Sequence, residues 1–251
     1  MQSIQASPPD SGVLPQPCVR SPNAALCALP YAPRDLSRSE RRREDLYLFR
    51  SPKLGRRTEL VGCLTLALAL TFEFDATCEA YTERPRKLVV GDSTVELSFW
   101  TRHSRGLERF WLIVPVDETR EPQSPRRAHR DAAALIDAAQ AAQIRLEFVF
   151  EEDIKKKADA IHTFFRLLPY VQTVRDLPSA EALRQHVRTV FTTLERATFP
   201  QIESELRAFH VADVRAAVCD LIHRGELKLL DPTRLERFSV VIRTGGTHAP
   251  A

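Results

Sequence analysis

The chain has 251 residues, 43% of them hydrophobic and 27% charged, which is ordinary globular material and enough for two small domains or one large one. A formal net charge of +3 permits contact with nucleic acid but lacks the dense basic footprint of a dedicated DNA binder. The five cysteines, at 18, 27, 63, 78 and 219, form no CxxC pair, so no zinc site is read and no cofactor is expected.

Residues 1–45 read as a solvated tail. Prolines 8, 9, 15, 17, 23, 30 and 33 break any periodic pattern. Its basic end, Arg38, Arg41, Arg42 and Arg43, could serve as an arm toward DNA phosphate or a partner. The odd cysteine count and the lack of a leader peptide point to a reducing cytoplasm.

Residues 59–72 are nearly all apolar and rich in Leu and Ala, and their length suits a buried helix. The run from Leu60 to Phe72, about 13 residues, is too short to span a bilayer, so no membrane association is expected. Strands follow at 78–82, 86–90, 94–102 and 107–116, with Gly91-Asp92 as a hairpin turn. Trp100 and Trp111 fall on adjacent strands and read as core. After a polar loop at 117–130 come a helix at 131–142, a strand at 144–150 and a helix at 151–168 opened by acidic residues.

From residue 177 the texture changes to short helices at 179–193, 199–209 and 211–224. Pro200 lies in the first turn of the second, and Gly225 stops the third. Segments 226–230 and 238–242 form a ribbon around Asp231-Pro232. The division expected is a tail at 1–45, a mixed-sheet α/β domain at 46–176, a winged-helix domain at 177–243 and a tail at 244–251.

The block Phe72-Glu73-Phe74-Asp75, continuing through Tyr81 to Pro85, resembles the L-E-F-D-P-x-V-x-x-Y-x-x-Q-P signature of TnsA-like endonucleases. Residues 146–155, followed by Phe165-Arg-Leu-Leu-Pro-Tyr170, resemble that family's F-x-V-V-T-D-x-D-I-R … L-L-x-Y run. Residues 218–231, with Arg224-Gly225-Glu226-Leu227, are similar to its winged-helix ending. The three blocks keep their order and spacing over about residues 55–243. The resemblance implies a restriction-endonuclease-like domain followed by a winged helix. It also implies as partners a DDE-type transposase subunit, an AAA+ transposition regulator and transposon-end DNA.

Nucleases of this fold hold Mg²⁺ with carboxylate oxygens and use a nearby Lys or Gln on the attacking water. The resemblance places the helix Glu of that set at Thr65, the strand Asp at Ser98, and the acid and lysine of the following strand at Pro115 and Asp117. All four positions depart from the pattern, so a degenerate site without nuclease activity is expected. Glu59 and Glu96 are the neighbouring acids that could stand in as relocated ligands, with Glu73 and Asp75 further carboxylates of an active-enzyme alternative. Glu59, on a helix running through Thr65, would face about 240° away and lie about 9 Å along the axis. Glu96, on one strand face with Ser98, would be displaced by about 6–7 Å, against a ligand distance of about 2.1 Å.

No phosphate-cradling loop is present among the eight glycines, and the histidines are scattered and read as surface residues. In the C-terminal domain, Arg207, Arg215, Arg224, Lys228, Arg234 and Arg237 are the candidate DNA-binding cations, interleaved with Glu203, Glu205, Glu226 and Glu236. The expectation is a catalytically inactive scaffold between transposase, regulator and DNA in DNA transposition. The alternatives are an active Mg²⁺-dependent endonuclease using relocated carboxylates, or a free-standing winged-helix regulator.

Overall fold

A computed structural model describes residues 29–43, 45–121 and 127–244. Among them the architecture is mixed α/β, with eight α-helices and five small sheets. A short helix α1 (Glu40–Arg43) leads to a hairpin of β1 (Leu46–Arg50) and β2 (Arg57–Val61), then to helix α2 (Cys63–Phe74). Next come β3 (Cys78–Glu83), the hairpin β4 (Lys87–Val90) and β5 (Ser93–Glu96), then β6 (Phe99–His103) and β7 (Leu107–Val114). A two-residue pair, β8 (Thr119–Arg120) with β9 (Ala128–His129), precedes helix α3 (Ala132–Ala141), β10 (Leu146–Phe150), α4 (Glu151–Lys156) and α5 (Ala158–Val174).

The central sheet has the order β10-β7-β6-β3. Strands β3, β6 and β7 run antiparallel, and α3 carries the chain across so that β10 lies parallel to β7, with Leu146 opposite Phe110. Alternation along the strands divides the side chains between the two faces. On one face Phe72 of α2 packs against Tyr81, Phe99 and Trp111 at 5.3–6.1 Å between ring centroids. On the other, Tyr31 covers Trp100 at 5.5 Å and Phe110 at 5.2 Å. Helix α3 buries Leu135 and Ala139 in the same core.

The tail expected at 1–45 is therefore corrected for its described part. Tyr31 packs on the sheet, Leu36 is buried, and Arg34 N–H donates to Arg84 O at 3.1 Å. The rest of that tail, residues 1–28, and the tail expected at 244–251 from residue 245 onward lie outside the described residues.

The helix expected at 59–72 is corrected as well. Residues up to Val61 form a strand, and the helix starts only at Cys63. Gly62 makes the break, with φ 81°, a conformation that carries a penalty for any side chain, and its N–H closes back on Asp45 O at 2.9 Å. The strand expected at 94–102 is two, β5 and β6, separated by Leu97 and Ser98. The helix expected at 151–168 breaks at Lys157 and then continues to Val174, with Pro169 inside it.

The C-terminal unit holds α6 (Ala180–Thr193), β11 (Arg196–Thr198), α7 (Phe199–Glu205), α8 (Val211–His223), β12 (Leu227–Leu229) and β13 (Val240–Arg243). Thr198 and Gln201 form a reciprocal capping box that starts α7, with Pro200 in its first turn. Gly225, at φ 75°, ends α8 as its N–H bonds Ile222 O and the next N–H bonds Leu221 O, both at 3.0 Å. The ribbon gains an unforeseen third strand, β11, giving the antiparallel order β11-β13-β12.

The boundary expected after residue 176 cuts through one apolar core. Leu167 and Val171 of α5 belong to the same buried cluster as Leu183, Ile202, Val218 and Val241. The two units also meet directly, where Phe74 of α2 stacks on Phe164 at 4.8 Å and meets His223 edge-on at 5.3 Å. Among the described residues no helix is long and apolar enough to cross a membrane.

Candidate functional site

The four motif positions are held apart from any ligand-gripping arrangement. Thr65 lies half-buried in the first turn of α2. The Ser98 hydroxyl accepts the Ile113 N–H at 3.0 Å, and its own N–H donates to Trp111 O at 2.8 Å, so the residue stitches the start of β6 to β7. Pro115 was expected in a central strand. It stands instead just beyond β7, and Asp117 is exposed in the 3₁₀ turn that follows. The Pro115 carbonyl accepts the Thr119 hydroxyl at 2.7 Å, which needs no proline N–H.

The relocated acids are corrected in their settings. Glu59 is on strand β2, not a helix, and pairs with Arg57 at 2.7 Å and Arg41 at 3.1 Å. Glu96 ends β5 opposite Lys87 and accepts from Nε and Nη2 of Arg34, and it shares no strand with Ser98, which lies beyond the end of β5. Among the described residues no group of three His, Cys, Asp or Glu side chains converges as a metal site would require. A Mg²⁺ ion does not fit the residues at these positions, which offer two hydroxyls, a proline and one solvated carboxylate.

A cleft of about 420 Å³ opens between α2 and the sheet, lined by Asp75, Thr77, His103, Arg109 and Lys157 among others. The Asp75 carboxylate accepts the Thr77 N–H and hydroxyl, both at 2.8 Å, and lies 4.0 Å from His103 Nδ1. Burial outweighs Asp75 and pushes His103 below its ordinary pKa, toward the neutral ring. Arg109 Nε is buried without a hydrogen-bond partner among the described residues, and it lies 4.0 Å from the Glu147 carboxylate. One carboxylate, a neutral imidazole and two cations suit contact with an anion better than activation of water by metal. Position in the sequence offered no sign of this cleft, because its residues come from stretches of the chain far apart in sequence, from Leu68 to Lys157.

A second polar group is wholly interior. Glu73, at 0% exposure, accepts from the Ser51 hydroxyl at 2.5 Å, Lys53 N–H at 2.8 Å, the Tyr81 hydroxyl at 2.7 Å and His223 Nε2 at 2.8 Å. Burial raises its pKa, but His223, Ser51 and Tyr81 together outweigh that and hold it below the carboxylate norm. Beside it, the Lys53 ammonium donates to the carbonyls of Phe72, Asp75 and Cys78 at 2.6–2.8 Å, and burial lowers its pKa. Every donor here is spent within the fold, so the cluster joins segments and offers nothing to a substrate. His223 and His129 are buried, which corrects the surface reading of the histidines. Burial likewise pushes the thiols of Cys78 and Cys219 up to about 12, which removes them as nucleophiles at neutral pH.

The six candidate cations of the C-terminal unit divide in two. Arg215 is tied to Glu203 at 2.5 Å, Arg224 to Asp220 at 2.7 Å and Arg234 to Glu236 at 3.1 Å. Arg207, Lys228 and Arg237 are exposed, and among the described residues none has a carboxylate within 4.0 Å. Arg237 lies over the Phe238 ring at 5.5 Å. No protein-family model and no curated protein matches this sequence.

Proposed function

We propose that this chain is a TnsA-like, non-cleaving subunit of a bacterial heteromeric transposase, bridging a DDE-type transposase, an AAA+ regulator and transposon-end DNA. One observation carries the reading. The chain order of helix, three antiparallel strands, crossover helix and parallel strand (α2, β3, β6, β7, α3, β10) is the order expected of a restriction-endonuclease-like domain. The motif resemblance assigns the metal-ligand positions to Thr65, Ser98, Pro115 and Asp117, and a Ser98 hydroxyl already bonded to the Ile113 N–H supports the reading that this site does not cleave. The C-terminal helices with the β11-β13-β12 sheet support a winged-helix reading, and Arg207, Lys228 and Arg237 support phosphate contact. The free-standing regulator is less favoured, because α5 and Glu73 tie the two units together.

The test is incubation of the full chain with supercoiled plasmid in Mg²⁺ or Mn²⁺. The expected outcome is intact plasmid together with salt-sensitive DNA retention in a mobility shift. Nicking that disappears in Glu96→Ala would overturn the non-cleaving reading in favour of relocated ligands. Neighbouring genes for a DDE transposase and an AAA+ ATPase would support the transposition context.

A further inference from the structure

A cavity of about 270 Å³ opens where α5, the start of α7, α8 and the loop before β13 meet. Its floor is apolar and buried: Leu167, Phe199 and Cys219. Exposed Arg166, Tyr170 and Arg237 line it from the solvent side. Arg215 also faces the cavity, but Glu203 neutralises it, and Glu236 is balanced by Arg234. Arg166 donates to Leu235 O at 2.7 Å, which fixes its guanidinium at the edge, and it has no carboxylate within 4.0 Å among the described residues. Arg166 and Arg237 therefore leave an uncompensated positive charge around a greasy hollow. Large apolar side chains stand exposed on the contributing segments, Phe165 at 54% and Phe238 at 66%.

We propose that this cavity is a docking site for an acidic segment of a protein partner, which seats one large apolar side chain on the floor and sets flanking carboxylates against Arg166 and Arg237. The volume fits one anchor side chain, and a deep apolar pocket with a polar rim is the usual form of an interface hot spot. Guanidinium groups bind carboxylates in planar, two-toothed geometry, which gives such a segment its direction. DNA suits the same surface poorly. A phosphate backbone gains its affinity from a run of cations, whereas this rim leaves two unpaired among the described residues, Arg166 and Arg237, and the apolar floor offers a phosphate nothing. The proposal rests on Arg166 and Arg237, of which Arg237 is open either to the acidic segment or to a phosphate, and it does not depend on the transposition reading.

The experiment uses the full chain and a fluorescein-labelled peptide, Asp-Glu-Phe-Glu-Asp, read by fluorescence anisotropy. Companion probes carry Ala in place of Phe, or Lys in place of the acids, and a labelled duplex DNA completes the set. Saturable binding of the acidic Phe peptide is expected, weakened at least tenfold by losing the Phe and abolished by losing the acids. The double variant Arg166→Glu, Arg237→Glu, both exposed and so tolerated by the fold, should weaken it at least tenfold. The double variant Arg86→Glu, Lys87→Glu, an equal charge reversal at two exposed positions of the sheet unit, should leave it unchanged. Equal loss in that control would reduce the effect to net charge and overturn the proposal. So would DNA binding that displaces the peptide and vanishes in the double variant, or a peptide that never saturates.

Discussion

Four donors converge on the two carboxylate oxygens of Glu73, and they come from three other places in the chain: the turn after β1, strand β3 and the end of α8. A buried acceptor with this many partners is costly to remove, because each donor is then left without water or a protein partner. Glu73→Ala is expected to destabilise the protein by about 3–5 kcal/mol, the usual range when one member of a buried charged network is deleted. Because the folded pKa lies below the ordinary value, the carboxylate contributes fully above its unfolded value of about 4.3 and is lost as pH falls through the folded one. Urea midpoints followed by tryptophan fluorescence should therefore drop below about pH 4 in the parent chain and change less in Glu73→Gln. Identical acid sensitivity in the two would show that Glu73 does not carry the linkage. Its neighbours could not be foreseen, since Glu73 and His223 are 150 residues apart and nothing local marks either one.

Signals that act within a few residues were legible, and those that depend on partners far along the chain were not. Gly91-Asp92 closes the β4–β5 hairpin with φ 57° at Gly91, and Gly225 ends α8, because each needs a backbone conformation that glycine adopts freely. The same rule could have placed a break at Gly62, but an unbroken apolar run masked it. Strand β11 has only three residues, Arg196–Thr198, and its pairing with β13 supplies what its own sequence lacks. Helix α5 shows the effect most clearly. Its Leu167, 1% exposed, and Val171 fill the C-terminal core, although the compositional shift after residue 176 separates them from it. A fragment beginning at residue 177 is thus expected to lose cooperative unfolding by circular dichroism, whereas one beginning at 158 regains it. For the full chain, Leu167→Ala should cost about 2–5 kcal/mol in urea. A sharp, native-like transition in the 177 fragment would show that the C-terminal unit needs no help from α5.

At the level of the molecule, the α/β class and the order of most elements followed from hydrophobic periodicity, while the candidate site followed from a resemblance and was then reshaped by packing. Charge shows how the two sources differ. A count of the C-terminal cations gives six possible phosphate contacts, yet side-chain geometry engages Arg215, Arg224 and Arg234 with carboxylates. Each such pair must be broken before the arginine can release a counterion from DNA, and the gain from a new contact is offset by the loss of the old one. Of those six, Arg207, Lys228 and Arg237 are the ones without a carboxylate partner among the described residues, and so free to add to the salt dependence. Each neutralised phosphate contributes about −0.9 to the slope of log Kobs against log salt, so three give about −3 and six about −5. Anisotropy titrations of a labelled duplex between low and moderate salt should return the smaller value. Lys228→Ala should reduce its magnitude by about one, whereas Arg224→Ala, already bonded to Asp220, should leave it nearly unchanged. A slope near the larger figure would mean that the ion pairs open on DNA, or that cations of the α2 cleft, Arg109 and Lys157, join the contact. Alanine at those two positions would tell the two causes apart, because only the second predicts a return to about −3.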